Sequence, residues 1–523
     1  MEKEIRLHVG CGDRNLDGFI NIDISGKPQK KLDVRKGLPY RNNCVDYIFS
    51  EHFIEHLSRE ESIRFLEECY RVLKPGGVCR VATPDLDEVI KSYSQDQWAR
   101  KEWISRFGYG WIPNKCLMLN VGLRHWGHQH IYNEEDLKMI GNLAGFIIAQ
   151  RCDVGQSLFE PLKGLEGRAD SFVMEFIKES EAYRDALPLV SILIPAYHEK
   201  YFREALDSAF NQTYPNTEII ICNDNPSSGI RDIVERIPDR SKVTYVENQK
   251  NMGSPPTYIR CFELARGPYI KFLNDDDRLL PDCIKRMVSH FEAFGARVTL
   301  VTSKRNRIDV HGKRLKDGGP TSLLVKEDAL IHGRDLGNFI VRHFTNVIGE
   351  PTTTMFRKGD MAHLSPHILS LDGKECLCLV DFVMWLNLLA RGDAVYLTEA
   401  LSEFRIHKGQ DQQKPHVIYK CYAIWPQIIE GARSLGFLEE SSDHVEAVQT
   451  FSAGCINNQI FDPPQREHIS RLCKDLESDL PPLAQQYSSP AQGKQTFPQI
   501  LDRIQKNQGW HDPLKYVYIR QMC

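Results

Sequence analysis

The stretch Tyr269–Asp277, YIKFLNDDD, decides how the chain is read. An aromatic and β-branched run ends abruptly in Asn274 and three consecutive carboxylates, Asp275, Asp276 and Asp277. A buried strand would produce the first half, and a loop at its carboxyl end would carry the acids. Adjacent carboxylates repel one another, so keeping three together points to a bound cation. Hard carboxylate oxygens suit Mg²⁺ or Mn²⁺, ions commonly shared with a substrate phosphate. A solvated acidic turn is the competing reading, and the flanking sequence decides between the two.

Working outward, Leu189–Pro195 (LVSILIP) predicts a strand, followed by Ala196, Tyr197, His198 and Glu199. A helix follows over Phe202–Gln212, with Phe202, Ala205, Ala209 and Phe210 on one stripe. Thr217–Cys222 reads as a second strand ending in Asn223 and Asp224, and Val243–Val246 as a third. A helix from Tyr258 to Ala265 leads through Gly267 and Pro268 into the opening stretch. Strands alternating with helices, with acids in the carboxyl-end loops, make a nucleotide-binding α/β layout.

Closer to the start, Ile5–Gly10 reads as a strand and Gly10-Cys11-Gly12 as the tight turn after it. The next strand, Phe19–Ile24, holds Asp23, and an acid there can accept hydrogen bonds from two ribose hydroxyls. Asp33 and Val34 would end a third strand and Val45–Ser50 form a fourth, with His52, Glu55 and His56 just beyond it. A helix over Glu61–Lys74 stops at Pro75-Gly76-Gly77, and Val78–Pro84 is a fifth strand. The run His125-Trp-Gly-His128-Gln-His130 has a loose metal-ligand spacing with no carboxylate or Cys beside it, so a substrate-facing loop is preferred. A charged stretch ending at Pro188 marks the domain boundary.

The segments LHVGCG, NIDI, SEHFIEHL, CYRVLKPGG and HQHIYNE, across roughly residues 4–160, resemble the class I methyltransferases that use S-adenosylmethionine (SAM). The resemblance implies a Rossmann-like domain over residues 1–180. It places Gly10 and Gly12 beside the amino-acid part of SAM, Asp23 on the ribose, and Asp33 and Val34 near the adenine. Methyl transfer to an alcohol removes one proton, and His52 or His56 is the candidate base, with capping or core packing as the competing role. Only about ten residues separate Gly12 from Asp23, so the first helix of that fold is cut short.

Residues 188–414 resemble a family 2 glycosyltransferase of the GT-A fold. SILIPAYHE, SAFNQTYPN, ICNDN, the run from NMGSPP to NDDD, and LVDFVMWLNLLARGD carry the likeness. The family's metal motif is Asp, any residue, Asp; here Asn274 takes the first position, which removes a charge and keeps an oxygen donor. The resemblance implies a divalent cation, Mg²⁺ or Mn²⁺, held by Asp276 with Asp277 and His407. It implies a nucleotide-diphosphate sugar against Pro195, Ala196, Tyr197, Glu199, Asp224 and Asp275. Asp381, at the start of a helix over Asp381–Leu389, becomes the base in an inverting displacement; an N-terminal helix cap is its other reading. Glu350 faces the acceptor in this scheme.

Residues 415–523 read as a helical extension, with amphipathic helices over Val417–Ala432 and Val445–Ile460. Breaks fall at Pro463-Pro464 and Pro481-Pro482, and Gln485–Thr496 is polar. Packing on the transferase, a homodimer contact and an acceptor-docking surface stay open for this part. The formal net charge of −4 gives no electrostatic reason to expect nucleic acid as a partner. Fifteen cysteines without paired spacing, and no apolar run of spanning length, lead to a cytoplasmic expectation, with surface contact at the inner face of the membrane left open. The chain therefore reads as an α/β bifunctional enzyme of surface-glycan biosynthesis. It would transfer a sugar to a glycan or lipid-linked glycan and a methyl group to a sugar hydroxyl. The alternative keeps only the glycosyltransferase active, with a degenerate first domain as a binding module.

Overall fold

The computed structural model describes residues 3–95, 98–100, 102–106, 108–318, 321–410, 413–456, 460–478, 480 and 517–519. The chain divides into two units, residues 1–187 with 288–294, and residues 188–287 with 295–523.

The first unit is built on a seven-stranded sheet: β1 (Arg6–Val9), β2 (Ile20–Asp23), β3 (Lys30–Lys31), β4 (Val45–Glu51), β5 (Leu73–Pro84), β6 (Ile148–Cys152) and β7 (Ser171–Ile177). Their order is β3-β2-β1-β4-β5-β7-β6, parallel from β3 to β5 and antiparallel at β7 and β6. The order runs outward in both directions from the β1/β4 pair, so the loops after those two strands flank a topological switch point. No helix forms between β1 and β2, as the short spacing predicts.

Two local expectations are corrected. Asp33 and Val34 do not end a strand. β3 stops at Lys31, and Asp33 caps a 3-10 turn, Val34–Lys36, accepting from the Arg35 amide. The helix after β4 spans Arg59–Val72, opened by a capping box between Ser58 and Glu61. It passes directly into β5, where Lys74–Gly77 bulge between the pairs Val45/Leu73 and Tyr47/Val78. Gly76 takes a positive φ of 81°, so the glycine pair makes a bulge inside the strand. Arg80, at the centre of β5, is fully buried between Glu166 and Glu175, both at 2.6 Å.

The second unit holds a ten-stranded sheet. Its strands are β8 (Val190–Ala196), β9 (Thr217–Asn223), β10 (Val243–Glu247), β11 (Tyr269–Phe272), β12 (Arg278–Leu279), β13 (Val298–Ile308), β14 (Ala329–Ile331) and β15 (Thr354–Arg357). A separate hairpin pairs β16 (Ser370–Leu371) with β17 (Lys374–Glu375), and the large sheet then takes β18 (Asp393–Arg405) and β19 (Val517–Ile519). The order is β10-β9-β8-β11-β15-β13-β18-β14-β19, with β12 pairing β18. β8 to β11 are mutually parallel, so the loops after β8, β9 and β11 open on one edge.

Helices Glu199–Phe210, Ser254–Leu264 and Val380–Leu389 are among those accompanying this sheet. Helix Pro415–Ser434 joins the same core: Trp425 is buried with its ring 4.9 Å from Phe382 and 4.3 Å from Phe344. Truncating a buried Trp costs about 3–5 kcal/mol, so this helix supports the segment that carries Asp381. The Pro463-Pro464 pair starts a further helix, Pro463–Ser478. Proline suits the first helical positions, whose N–H groups have no partner within the helix. Gln485–Thr496 lies outside the described residues. Among them, no helix is long and apolar enough to cross a membrane.

Candidate active site

A cavity of about 740 Å³ opens at the carboxyl ends of β8, β9 and β11. Its lining brings together Pro195, Ala196, Tyr197, Asp224, Asp275, Asp276, Glu350, Asp381 and His407, seven of them separated in sequence from the loop after β11. Glu199 and Asp277 do not line it.

The environments of the three consecutive acids differ. Asp275 is buried and its Oδ2 accepts from the amides of Tyr197 and His198, both at 2.6 Å. Burial, reinforced by the charge of Asp276, pushes its pKa up to about 7 against those two bonds. Asp277 is fully buried. Its Oδ1 accepts from the Arg405 amide and its Oδ2 from the Thr352 hydroxyl and the Asn274 amide. Burial and the neighbouring Asp276 hold its carboxyl well above the usual range. Asp276 faces the cavity, its Oδ2 2.9 Å from His407 Nε2. Asn274 gives its side-chain oxygen to the Tyr258 hydroxyl. An aspartate in its place would set one more charge against buried Asp277, which gives Asn a physical reason to be there.

Two further acids hold loops. Asp224 accepts from Asn248 Nδ2 and the Met252 amide on Oδ1, and from the Gly253 amide on Oδ2, at 2.7–2.8 Å. Glu199, exposed at the start of its helix, accepts from the Gly229 amide. Glu350 Oε2 lies 2.9 Å from Arg305 Nε, while its Oε1 is buried without a hydrogen bond.

Asp381 stands in the first turn of helix Val380–Leu389, where the macrodipole favours a carboxylate. It is not the cap residue: Leu379 occupies that position in a left-handed conformation with φ 52°. Asp381 Oδ2 accepts from Asn346 Nδ2 at 2.6 Å and Oδ1 from the Phe382 amide at 2.9 Å. Burial raises its pKa, and those two bonds oppose the rise. Sequence reasoning missed Asn346, and also Arg305, Arg307 and Lys414, which give the lining its positive charges. A lone Asn in a loop carries no spacing signal. The only hint was its nearness to Gly349-Glu350.

In the first unit, Gly10 and Gly12 take positive φ values of 73° and 55°. A Cβ on Gly10 would lie 2.5 Å from Phe53, so the turn after β1 packs on the loop after β4. Asp23 Oδ2 accepts from the Gly12 amide at 2.7 Å and Oδ1 from the Ser25 amide at 2.8 Å. Asp33 pairs with Arg35, which lowers its pKa, and Val34 is buried. His52, with φ 49°, sits 2.8 Å from Ser171 Oγ through Nε2, and its Nδ1 is 3.1 Å from Arg168 Nη1. The loop 125–130 closes onto this region: His128 stacks edgewise on His56 at 5.0 Å, and Glu55 completes a group of three potential ligands. The carboxylate that the local sequence around His128 lacks therefore comes from another segment.

Residues 191–363 match the glycosyl transferase family 2 profile, and residues 22–81 match a methyltransferase domain. The chain is 23% identical over 283 residues to the chondroitin synthase of Pasteurella multocida (strain Pm70), covering 51% of this chain and 26% of that protein. It is 26% identical over 225 residues to TuaG of Bacillus subtilis (strain 168), named for teichuronic acid biosynthesis; 42% of this chain and 79% of TuaG are covered. The chain thus spans about a quarter of the first relative's length. The crystal structure of Staphylococcus aureus TarS aligns over 57% of this chain and 50% of its own, with 16% identity and a TM-score of 0.43. The chain joins a methyltransferase domain on its amino-terminal side to a glycosyltransferase family 2 domain.

Proposed function

We propose that the second unit transfers a sugar from a nucleotide-diphosphate donor to a glycan or lipid-linked glycan acceptor with inversion. The observation that carries this reading is the convergence of Asp276, His407, Asp381 and Glu350 on one cavity at the carboxyl edge of the parallel strands. Asp276 offers a carboxylate oxygen that suits Mn²⁺ or Mg²⁺, and His407 an imidazole nitrogen 2.9 Å from it. Such an ion, when bound, neutralises charge on a departing diphosphate. Asp275 and Asp224 fix the loops Tyr197–His198 and 248–253 that wall the donor side. Asp381 takes the proton of the acceptor hydroxyl on its carboxylate, held in place by Asn346. Glu350, with its unpaired oxygen, takes an acceptor hydroxyl.

For the first unit the reading is SAM-dependent methylation of a sugar hydroxyl, within the same surface-polysaccharide biosynthesis. A second reading makes this unit a binding module. It is favoured by Asp23, whose carboxylate already serves the Gly12 and Ser25 amides, and by the missing helix between β1 and β2. Calorimetry with SAM separates the two: heat of binding supports methylation, and its absence supports the module. For the transferase, nucleoside diphosphate release is measured across a panel of nucleotide sugars with Mn²⁺ present. Asp381→Asn should cut turnover by roughly 10²–10⁴ while donor binding survives. Normal turnover with lost donor affinity would instead mark Asp381 as structural.

A further inference from the structure

Glu55, His56 and His128 present one ligand atom each, all within 4.8 Å of one another, although His128 is 73 positions from Glu55. We infer that these three residues of the first unit bind a divalent transition-metal ion of the zinc class.

Three features besides proximity point to an ion. The first is Glu55. It is fully buried, its Oε2 accepts from Thr83 Oγ1 at 3.1 Å, and its Oε1 has no hydrogen-bond partner. The nearest nitrogen, His52 Nδ1, is 3.1 Å away. The same Nδ1 is also 3.1 Å from the Arg168 guanidinium, which can only donate and so competes with Glu55 for that nitrogen. Burying a carboxylate is costly unless it is paired, and a cation at Oε1 would supply a full counter-charge.

The second is the state of the imidazoles. His128 Nδ1 lies 3.0 Å from the Gly122 carbonyl, which can only accept, so the proton sits on Nδ1 and Nε2 keeps a free lone pair. Metal-binding histidines are typically held in this way, by a second nitrogen donating to a carbonyl. Among the described residues no hydrogen bond occupies either ring nitrogen of His56. His130, by contrast, is paired with Asp136 at 2.7 Å and is excluded as a ligand.

The third is preorganisation. The amides of Gln129 and His130 donate to the Glu55 carbonyl at 2.8 and 3.2 Å, and Gln129 Nε2 donates to the His56 carbonyl at 2.7 Å. Three hydrogen bonds thus clamp one ligand-bearing segment onto the other, and Trp126 adopts a left-handed φ of 60° inside the clamped loop.

Two imidazoles and one carboxylate form a set that suits zinc and its first-row neighbours, and it leaves at least one position open. Ligand atoms around a tetrahedral ion with bonds of 2.0–2.2 Å stand about 3.3–3.6 Å apart, so the present trio, within 4.8 Å, needs to close by at most about 1.5 Å on binding. The site follows β4, beside the glycine turn that follows β1. A hydroxyl oxygen entering the open position would lose its proton more readily, and His56 would then serve as a ligand in place of a base. The inference does not depend on methyl transfer, since the ligand set is complete without SAM.

The test uses full-length protein carrying Asp276→Ala, which disables the proposed cation site of the second unit. After chelation and dialysis against zinc, metal analysis should give one zinc per chain. Cobalt in its place should give the visible absorption of a low-coordinate nitrogen-ligated ion. Adding His56→Ala or His128→Ala should weaken zinc binding at least about 100-fold, the upper end of what losing an outer partner costs, with unchanged far-ultraviolet circular dichroism. No zinc retained by the Asp276→Ala protein, a purely octahedral cobalt spectrum, or wild-type zinc affinity in either histidine variant would overturn the inference. The cobalt spectrum decides the matter even where a histidine variant fails to fold.

Discussion

Asn346 offers a direct way to examine the base proposed for the glycosyltransferase domain, because it touches Asp381 without being able to move a proton itself. Its Nδ2 donates to Asp381 Oδ2 at 2.6 Å, and its Oδ1 accepts from the Ile348 and Gly349 amides. A hydrogen bond to a charged group contributes about 1.5–3 kcal/mol. One pKa unit corresponds to 1.36 kcal/mol, so losing this bond should raise the Asp381 pKa by about 1–2 units. Burial already lifts that pKa above the ordinary carboxylate range. The working form of the base is the carboxylate, so activity fades as pH falls through the pKa, and a higher pKa moves this acid limb upward. In Asn346→Ala the acid limb of kcat/KM for diphosphate release should therefore shift up by about 1–2 pH units. Asn346→Asp keeps an acceptor for the two loop amides but replaces the donor with a second carboxylate, and the shift should be at least as large. An unmoved limb in both variants, with donor KM preserved, would refute Asp381 as the titrating base. A drop in kcat at all pH values without a shift would reduce Asn346 to a loop brace.

Asp276→Ala should abolish metal-dependent sugar transfer while leaving SAM binding by calorimetry unchanged; retained Mn²⁺-stimulated transfer would exclude Asp276 as the cation ligand. Asp23→Ala should weaken SAM binding by about 1.5–3 kcal/mol, and an unchanged affinity would place the cofactor elsewhere. Arg80→Met should destabilise the first unit by about 3–5 kcal/mol at neutral pH, since Glu166 and Glu175 are left charged and buried without a counterion. A thermal midpoint indifferent to the substitution would refute the triad's role.

The acids after β11 were legible because an apolar run cannot end in three carboxylates without a change of environment, and the strands before them repeat at regular intervals. The sequence did not distinguish the three. Asp275 and Asp277 are buried and spent on loop amides, a hydroxyl and a strand amide, while Asp276 faces the cavity. That division depends on partners 75 to 131 positions away, which no local pattern encodes. Lys271 makes the same point. A lysine inside YIKF reads as a flaw in a buried strand. In the structure its ammonium is fully buried and donates to the carbonyls of Thr352 and Thr354. It thereby ties β11 to the segment that carries Glu350.

The metal trio of the first unit was illegible for the same reason. Ligand spacing is a reliable signal where one helix or hairpin supplies the whole set, because local geometry then fixes the distances. Here Glu55 and His56 come from the turn after β4 and His128 from a loop pinned to that turn by backbone bonds. The HWGHQH run alone offers three imidazoles. One is consumed by Asp136, and another, His125, lies 5.5 Å from Tyr109 and 5.0 Å from Trp126 in an aromatic cluster. Counting histidines therefore overstates the local ligands and misses the carboxylate. What selects His128 is the Gly122 carbonyl on its far nitrogen, a contact set by the course of the backbone and not by the identity of any side chain.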